Sequence, residues 1–322
     1  MSVSIIYQVQ PIRGVILKGK IMSNELVSVI IPTYGRSLLL KRAIFSVLEQ
    51  DYKNVEVIVV NDNKMDNIDY ISTITVMKEF DSFSNIVFIS SGENVGGSEA
   101  RNIGIKHSNG KYITFLDDDD YFYKDKIRKQ VEHLIKNDID VSVCDMDLDI
   151  NGNVASAKKG RCNIGSIGNF ISFGNSYTPM FLMKREVLEV VNGFTITPRF
   201  QDHVLMLKIL ENDFKVGELH DSLFVHTEHE GEGITSEKNF KTGYLIRTEI
   251  EKRNLFRVSI CERNRYFVRY YLSMARLLRN EGSFVKAIKH IFYALFYVRS
   301  IDDLIRVSKR TISILILKSS RN

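Results

Sequence analysis

The stretch Tyr112-Ile113-Thr114-Phe115-Leu116-Asp117-Asp118-Asp119-Asp120 joins an apolar run to four consecutive aspartates. The run is typical of a buried strand, so the carboxylates that follow it are expected in one small space. Their mutual repulsion is unfavourable unless a cation or strong hydrogen-bond donors balance it. Oxygen ligands at this density suit Mg²⁺ or Mn²⁺ bound together with the phosphates of a substrate. The alternative is an acidic turn that caps the next helix, but a cap needs only one Asp.

Composition limits the class of protein. The chain has 322 residues, 44% of them hydrophobic, which is enough for one large domain or two with a substantial core. Its three cysteines are odd in number and form no CxxC pair, which argues against a disulfide framework or a structural zinc and fits a reducing cytoplasm. No segment has the length and apolarity of a membrane span.

Charge is distributed unevenly along the chain. Residues 241–322 carry 18 Lys and Arg against 6 Asp and Glu, whereas the rest of the chain is net acidic. We therefore expect three regions: a leader or poorly ordered N-terminus over 1–24, a catalytic domain over 25–240, and a basic helical region over 241–322.

Short apolar runs alternate with helical patterns in the first half of the chain. This alternation predicts an α/β fold in which a parallel sheet is covered by helices on both faces. Ligands in such sheets bind beyond the carboxyl ends of the strands, so the residues that follow each strand are the candidates for a site. The predicted strands are 27–31, 55–60, 86–89 and 112–116, and helices are predicted at 97–107 and 124–137.

Each of the first three strand ends carries residues suited to a nucleotide. After the first strand, Tyr34 beside a small residue provides a flat surface for a base. After the second, Asp62 could accept a hydrogen bond from the N3–H of uracil. After the third, the glycines of 92–97 precede a helix whose first turns carry Arg101, a combination that suits a diphosphate. Each feature alone also has a structural explanation as a turn, cap, loop or surface pair.

Four ordered motifs resemble those of the family-2 inverting glycosyltransferases. They are Val29-Ile30-Ile31-Pro32-Thr33-Tyr34-Gly35-Arg36, Val60-Asn61-Asp62, Asn94-Val95-Gly96 with Ala100-Arg101-Asn102-Ile103-Gly104, and Phe115-Leu116-Asp117-Asp118-Asp119-Asp120. The resemblance runs from about residue 26 to 235. It implies the GT-A fold, a Rossmann-like, mixed and mostly parallel sheet flanked by helices, here with a C-terminal helical extension.

The resemblance also implies roles for individual residues. Tyr34 and Asp62 would hold the base, and Arg101 would lie near the diphosphate. The family's Asp-x-Asp falls on Asp117 and Asp119, with Asp119 as a direct metal ligand and Asp117 or Asp118 near the ribose. Gly35, in place of a commoner Asn, and Asn61-Asp62-Asn63, in place of Asp-Asp-Gly-Ser, depart from the pattern. The candidate donor-binding residues are Pro32, Thr33, Tyr34, Arg36, Asp62, Asn94, Gly96, Arg101, Asp117 and Asp118; the candidate ligands of Mn²⁺ or Mg²⁺ are Asp117, Asp119 and His226.

His226 follows a strand-like run, and some relatives use a histidine at such a position as a further metal ligand. The alternative is an ordinary hydrogen-bonded histidine.

An inverting transfer also needs a base that deprotonates the acceptor hydroxyl. Phe200-Gln201-Asp202-His203 resembles the family's Glu-Asp pair at a helix start, which makes Asp202 the expected base; a helix cap is the alternative. Thr178-Pro179-Met180 and Arg185 are expected to line the acceptor side, and the segment 230–234 is expected to close over the donor.

The basic C-terminal region reads as amphipathic helices over 262–298, with aromatic-rich stripes flanked by cations. Such helices suit an anionic membrane surface. Helices packed on the catalytic domain or on a second subunit, in a homodimer, are the alternative. Nucleic-acid binding fits the charge but not the acidic cluster, and no reading motif supports it.

These observations together predict a metal-dependent inverting glycosyltransferase in the cytoplasm, attached peripherally to the inner face of the cell membrane. We expect it to move a hexose from a UDP-sugar to a hydroxyl of an undecaprenyl-diphosphate-linked saccharide in bacterial O-antigen or capsule assembly. A nucleotidyltransferase and a non-catalytic scaffold of the same fold are the rival interpretations.

Overall fold

The computed structural model describes residues 24–156, 160–228 and 237–316. The leader expected over 1–24 lies, apart from its last residue, outside the described residues, and so does the loop 230–234 that is expected to close over the donor.

The first half of the chain forms a block of four parallel strands. The strands pair in the order β3-β2-β1-β4, so β1 lies between β2 and β4, and the chain changes direction across the sheet at this point. The residues of β2 and β4 are buried on both faces, as expected for strands covered by helices. The elements are β1 Val27–Thr33, α1 Ser37–Leu48, β2 Val55–Asn61, α2 Ile68–Met77, β3 Ile86–Ser90, α3 Gly97–His107 and β4 Tyr112–Phe115.

A glycine sets the approach of α3 to the sheet. A Cβ on Gly104 would lie 2.4 Å from Cγ2 of Ile30 in β1, which is closer than real side chains approach. Only glycine lets the helix pack this tightly on the strand. The close contact fixes α3 with Arg101, one turn earlier, at the carboxyl edge of the sheet.

The second half of the chain extends the sheet and makes it mixed. Strand β8 runs antiparallel to both β4 and β6, and β9 runs parallel to β6. The predicted mixed α/β sheet is confirmed, although only the block of the first four strands is wholly parallel. The elements are β5 Tyr121–Phe122, α4 Lys126–Asn137, β6 Val141–Ile150, β7 Asn153–Ser156, α5 Ile167–Phe173, β8 Phe181–Lys184, α6 Arg185–Val190, α7 Gln201–Glu211 and β9 Val216–Glu228.

The C-terminal region is helical. Tyr266 of α9 is fully buried and belongs to the same core as the sheet, so this region packs on the first part of the chain. Ser259 and Glu262 form a capping box that starts α9. Among the helices that the structure describes, none combines the length and apolarity that crossing a bilayer requires. The helices are α8 Glu237–Arg253, α9 Ile260–Asn280, α10 Phe284–Phe296 and α11 Ile301–Ile316.

Candidate active site

A cavity of about 420 Å³ opens at the carboxyl edge of the first four strands. Its volume lies in the range of small-molecule sites. The ten residues that the sequence suggests for donor binding all line it, because they lie at or after the ends of four strands that meet at this edge: Pro32, Thr33, Tyr34, Arg36, Asp62, Asn94, Gly96, Arg101, Asp117 and Asp118.

The end of β1 is fastened to the second aspartate of the quartet. The Thr33 hydroxyl donates to Oδ2 of Asp118 over 2.8 Å, and the backbone N–H of Tyr34 donates to the same oxygen over 3.2 Å. Arg36 places Nη2 2.7 Å from Oδ1 of Asp118 and also pairs with Asp119. The chain itself therefore supplies one cation to the two central carboxylates.

The first aspartate of the quartet is held by Arg101. The Arg101 guanidinium pairs with Oδ1 of Asp117 and donates to the backbone carbonyl of Gly97 over 3.0 Å. Asp117 is the one member of the quartet that is partly exposed, and it faces the cavity. Arg101 is thus held beside Asp117 in the lining of the cavity.

The last aspartate is buried and held by the end of β9. Nδ1 of His226 lies 3.1 Å from both carboxylate oxygens of Asp120, and the backbone N–H of Thr227 donates to Oδ1 over 2.9 Å. Arg42 of α1 joins this arrangement by donating to the backbone carbonyl of Asp119 and to the Thr227 hydroxyl. These bonds bring the distant histidine to the quartet.

Burial and neighbouring charges act in opposite directions on the pKa values of two groups in the site. Burial raises the pKa of Asp118 to about 7, although the charge of Arg36 opposes this shift. Burial lowers the pKa of His226, but the bond to Asp120 and the charges of Asp117 and Asp119 outweigh it and bring the value to about 9. The site thus attracts positive charge.

The donor set fits a divalent metal ion. Asp117 and Asp119 offer the hard oxygen ligands that Mg²⁺ and Mn²⁺ prefer. Asp120 holds one nitrogen of His226, which is how carboxylates commonly orient a ligating imidazole through its other nitrogen. With a pKa of about 9 the ring carries both protons at neutral pH, so an ion that bound His226 would displace the proton of that other nitrogen. Because Arg36 pairs with Asp119, the guanidinium and an ion would compete for that carboxylate.

Asp62 connects β2 to the glycine loop. Its two carboxylate oxygens accept hydrogen bonds from the backbone N–H groups of Val95, over 2.7 Å, and Gly96, over 3.0 Å. Gly96 has φ +83°, a conformation that favours glycine. Burial raises the pKa of Asp62, although both backbone bonds oppose it. Tyr34 lines the same cavity and is 40% exposed, so part of its ring is free to face a ligand.

Asp202 borders a second cavity of about 290 Å³. Gln201 lines both cavities, so the two adjoin. Burial raises the pKa of Asp202 to about 6, against the backbone bond from His203 and the charges of Arg101 and Arg247. A carboxylate with this pKa is a competent base near neutral pH.

The residue before Gln201 and Asp202 has a strained backbone. Phe200 has φ +64°, which is a genuine outlier for a bulky side chain. Its ring packs against Phe240 and Tyr244 of α8, and Arg247 lies over its face. The C-terminal helices therefore maintain the backbone that presents Gln201 and Asp202, and such strain clusters at functional sites.

A buried ionic network behind Asp202 was not evident from sequence. Oε1 of Glu251 accepts from His203 (3.0 Å), Arg247 (2.9 Å) and Arg269 (2.7 Å), which links α7, α8 and α9. Burial lowers the pKa of His203 to about 3, and the Phe170 ring stacks on it at 4.4 Å. The neutral imidazole is thus part of the packing beneath the site.

Other lining residues lacked a sequence signal. Thr197, Pro198 and Asn239 complete the first cavity from segments far along the chain.

The expected position of Arg185 on the acceptor side is wrong. Its guanidinium donates to the backbone carbonyl of Gly110 and to the Ser108 hydroxyl, two residues that precede the start of β4. Because β8 runs antiparallel to β4, its end lies at the edge of the sheet opposite the cavity.

A family model described as glycosyl transferase family 2 matches residues 28–200, more than half of the chain. An uncharacterized glycosyltransferase of Haemophilus influenzae is 33% identical over 144 residues, 43% of this chain and 56% of its own length. In Escherichia coli, the UDP-Glc:alpha-D-GlcNAc-diphosphoundecaprenol beta-1,3-glucosyltransferase WfgD is 36% identical over 118 residues, 37% of this chain and 44% of its own. The match thus covers about half of the length of these two curated relatives.

Solved structures share the fold. Residues 1–349 of Staphylococcus aureus TarS, determined with UDP-GlcNAc, align with a TM-score of 0.64 at 18% identity, covering 90% of this chain and 89% of that one. The Pyrobaculum calidifontis mannosyltransferase PcManGT, determined with GDP-Man and Mn²⁺, gives 0.52 at 16% identity, with 91% and 81% covered. The predicted GT-A fold is confirmed.

Proposed function

This chain belongs to glycosyl transferase family 2, and we propose that it moves a hexose, with inversion, from a UDP-sugar to a hydroxyl of a lipid-linked saccharide. The observation that carries the proposal is the convergence of ten predicted donor-binding residues on one cavity, with Asp202 in the lining of the adjoining one. The WfgD relative supports the substrate classes, since its name includes a UDP-Glc donor and a diphosphoundecaprenol-linked acceptor.

The nucleotide half of the donor would lie between the ends of β1 and β2. The exposed part of the Tyr34 ring provides a stacking surface. Each oxygen of Asp62 has a lone pair left after its bond to the backbone, so it can also accept the N3–H of uracil. The loop before α3 and Arg101 would face the diphosphate, aided by the helix dipole.

Asp119 and Asp117, with His226, would hold Mn²⁺ or Mg²⁺. When bound, the ion stabilises the negative charge of the leaving diphosphate. Arg36 would release Asp119 and is close enough to the same space to contact the diphosphate, since it lines the cavity. Arg101 holds Asp117 in position.

Asp202 would take the proton of the acceptor hydroxyl. As the acceptor oxygen bonds to the anomeric carbon, the bond from that carbon to the diphosphate breaks on the opposite side, and UDP leaves. Attack from the face opposite the leaving group inverts the configuration. The second cavity, lined by Tyr177, Arg199 and Arg247 as well as Asp202, is the proposed acceptor side.

The C-terminal helices would bring the enzyme to its lipid-linked acceptor. On α10 and α11, apolar side chains are exposed next to Lys and Arg, a combination that suits the interface of an anionic membrane. This arrangement supports the proposal of a cytoplasmic enzyme attached to the inner membrane face. The exposed side chains include Val285, Phe292, Phe296, Ile301 and Ile312.

Release of UDP tests the proposal. Purified protein is incubated with a UDP-sugar, Mn²⁺ and a diphospholipid-linked saccharide, each also omitted in turn. We expect free UDP and elongated lipid only in the complete mixture. Release of pyrophosphate would indicate a nucleotidyltransferase, and donor binding without turnover for any UDP-sugar and lipid-linked acceptor would indicate a scaffold.

A further inference from the structure

Three potential metal ligands meet on the sheet away from the quartet. They are Asp145 of β6, Cys162 of the loop after β7, and His220 of β9. Nδ1 of His220 lies 3.8 Å from Sγ of Cys162 and 3.5 Å from Oδ1 of Asp145. Asp145 and Cys162 are buried, whereas the His220 side chain is 61% exposed.

An irregularity in β9 places the histidine there. The pairing of β6 with β9 runs from Cys144 opposite Leu219 to Asp145 opposite Ser222, so His220 and Asp221 are extra residues without a ladder partner. Bulges of this kind re-aim side chains and are common beside functional sites. Here the bulge directs His220 toward a carboxylate on one strand and a thiol on a loop.

Surrounding bonds orient all three groups. Nε2 of His220 lies 3.4 Å from Oε2 of Glu218, two residues earlier on the same face of β9. Glu218 is itself fixed by the backbone N–H groups of Ile164 and Gly165. The backbone N–H of Cys162 donates to Oδ1 of Asp145 over 2.8 Å. A carboxylate behind a ligating histidine is the usual support of a protein metal site.

We propose that Asp145, Cys162 and His220 bind a Zn²⁺ ion, with Glu218 as a positioning residue behind the histidine. Around tetrahedral zinc, with bonds of about 2.0–2.3 Å, neighbouring ligand atoms lie roughly 3.3–3.6 Å apart, close to the separations found here. On binding, the Cys162 thiol releases its proton to solvent and its sulfur bonds to the ion; no atom is oxidised or reduced. Water takes the fourth position, on the side where His220 is exposed.

The ion would fasten the loop that carries Cys162 to the two strands. This loop leads from β7 into α5, which packs against α7 and α9 beneath Asp202. Binding to the native state alone raises its stability, so zinc would increase the melting temperature.

Cobalt provides the test, because a Co²⁺–thiolate bond gives a charge-transfer absorption band in the near ultraviolet. The residues described as lining the candidate active-site cavity include no cysteine, so the band does not arise from an ion at that site, whether or not the chain transfers sugar. We expect the chelator-treated full chain to show the band at one equivalent of Co²⁺ and to lose it when Zn²⁺ is added.

The variants Cys162→Ser and His220→Ala should abolish the band or weaken Co²⁺ binding at least tenfold. Glu218→Gln should weaken it roughly 10–100-fold. Cys261→Ser, at an exposed cysteine of α9, is the matched control and should keep the band. Because the His220 side chain is largely exposed, His220→Ala is expected to fold, and it provides the test if Cys162→Ser does not fold. Absence of the band in the wild-type protein, or its survival in His220→Ala at unchanged affinity, would overturn the proposal.

Discussion

Arg36 and Asp118 form an ion pair at the end of β1, with 2.7 Å between Nη2 and Oδ1. The same guanidinium pairs with Asp119, so the protein neutralises part of its acidic quartet with its own side chain. A metal ion that binds Asp119 must displace this cation. Binding of the ion and release of Arg36 are therefore expected to be linked.

Replacing Arg36 should strengthen metal binding in the absence of nucleotide. In Arg36→Ala the carboxylates lose their competing cation, and a charge-assisted pair contributes about 1.5–3 kcal/mol. We expect the Mn²⁺ dissociation constant of the nucleotide-free protein to fall about tenfold, measured by titration calorimetry. Arg128→Ala, which removes the pair with Asp51, serves as the control and should leave the Mn²⁺ dissociation constant unchanged. Weaker Mn²⁺ binding in Arg36→Ala would contradict competition.

The rate of transfer should depend on the ionisation of Asp202. Its raised pKa of about 6 means that the carboxylate form, which accepts the proton, predominates only above that pH. We expect kcat to rise with pH through about 6 and then to level. Asp202→Asn should lower kcat by roughly 10²–10⁴ and leave the dissociation constant of the donor unchanged. Asp213→Asn, at an exposed site just after the same helix, is the control; a normal rate in Asp202→Asn would show that another group is the base.

Glu251 should be essential to stability. Its pKa is lowered, because the charges of Arg269 and Arg247 outweigh the effect of burial. Replacement by Ala leaves two arginines largely buried without their partner, which should cost about 3–5 kcal/mol in denaturant unfolding. Since the folded-state pKa is depressed, this stabilisation is present at neutral pH and is lost as pH falls below the ordinary value of 4.5.

A surface pair gives the comparison for Glu251. Lys215 and Asp138 are both exposed, so Lys215→Ala should leave the denaturant midpoint almost unchanged. Equal effects of the two substitutions would contradict the importance assigned to the buried network.

The exposed aromatic rings of α10 should mediate membrane binding. Phe292 and Phe296 are 66% and 71% exposed, and burying each in a bilayer is worth about 1.5–3 kcal/mol. The double change Phe292→Ser/Phe296→Ser should reduce flotation with anionic vesicles at least tenfold. Leu38→Ser, at an 84% exposed site on α1, should have no effect. Unchanged flotation of the double variant, with a dimer that dissociates, would indicate a subunit interface instead.

The sequence was sufficient to predict elements and sites that depend on local signals. The strands of the first half and α3 lie where periodicity and glycines predict them, because these patterns are set by neighbouring residues. The convergence of Tyr34, Asp62, Arg101 and Asp117 on one cavity follows from the rule that parallel strands end at a common edge.

Features that depend on distant pairings were not predictable. Arg185 was predicted at the acceptor side, but β8 runs antiparallel to β4, so Arg185 lies at the opposite edge of the sheet. No local pattern in the sequence signals this reversal of strand direction. The Glu251 network and the cluster of Asp145, Cys162 and His220 join residues from separate parts of the chain. The absence of a CxxC pair argues against a structural zinc only where the ligands are close in sequence, whereas this cluster joins ligands that are distant in sequence.

A crystal structure with a UDP-sugar and Mn²⁺ tests the central claim most directly. We predict that the uracil lies between Tyr34 and Asp62, and that the diphosphate lies between Arg101 and an ion held by Asp119. Arg36 should have left that carboxylate. A donor bound elsewhere on the chain, with the Arg36 pairs unchanged, would contradict the assignment of this cavity.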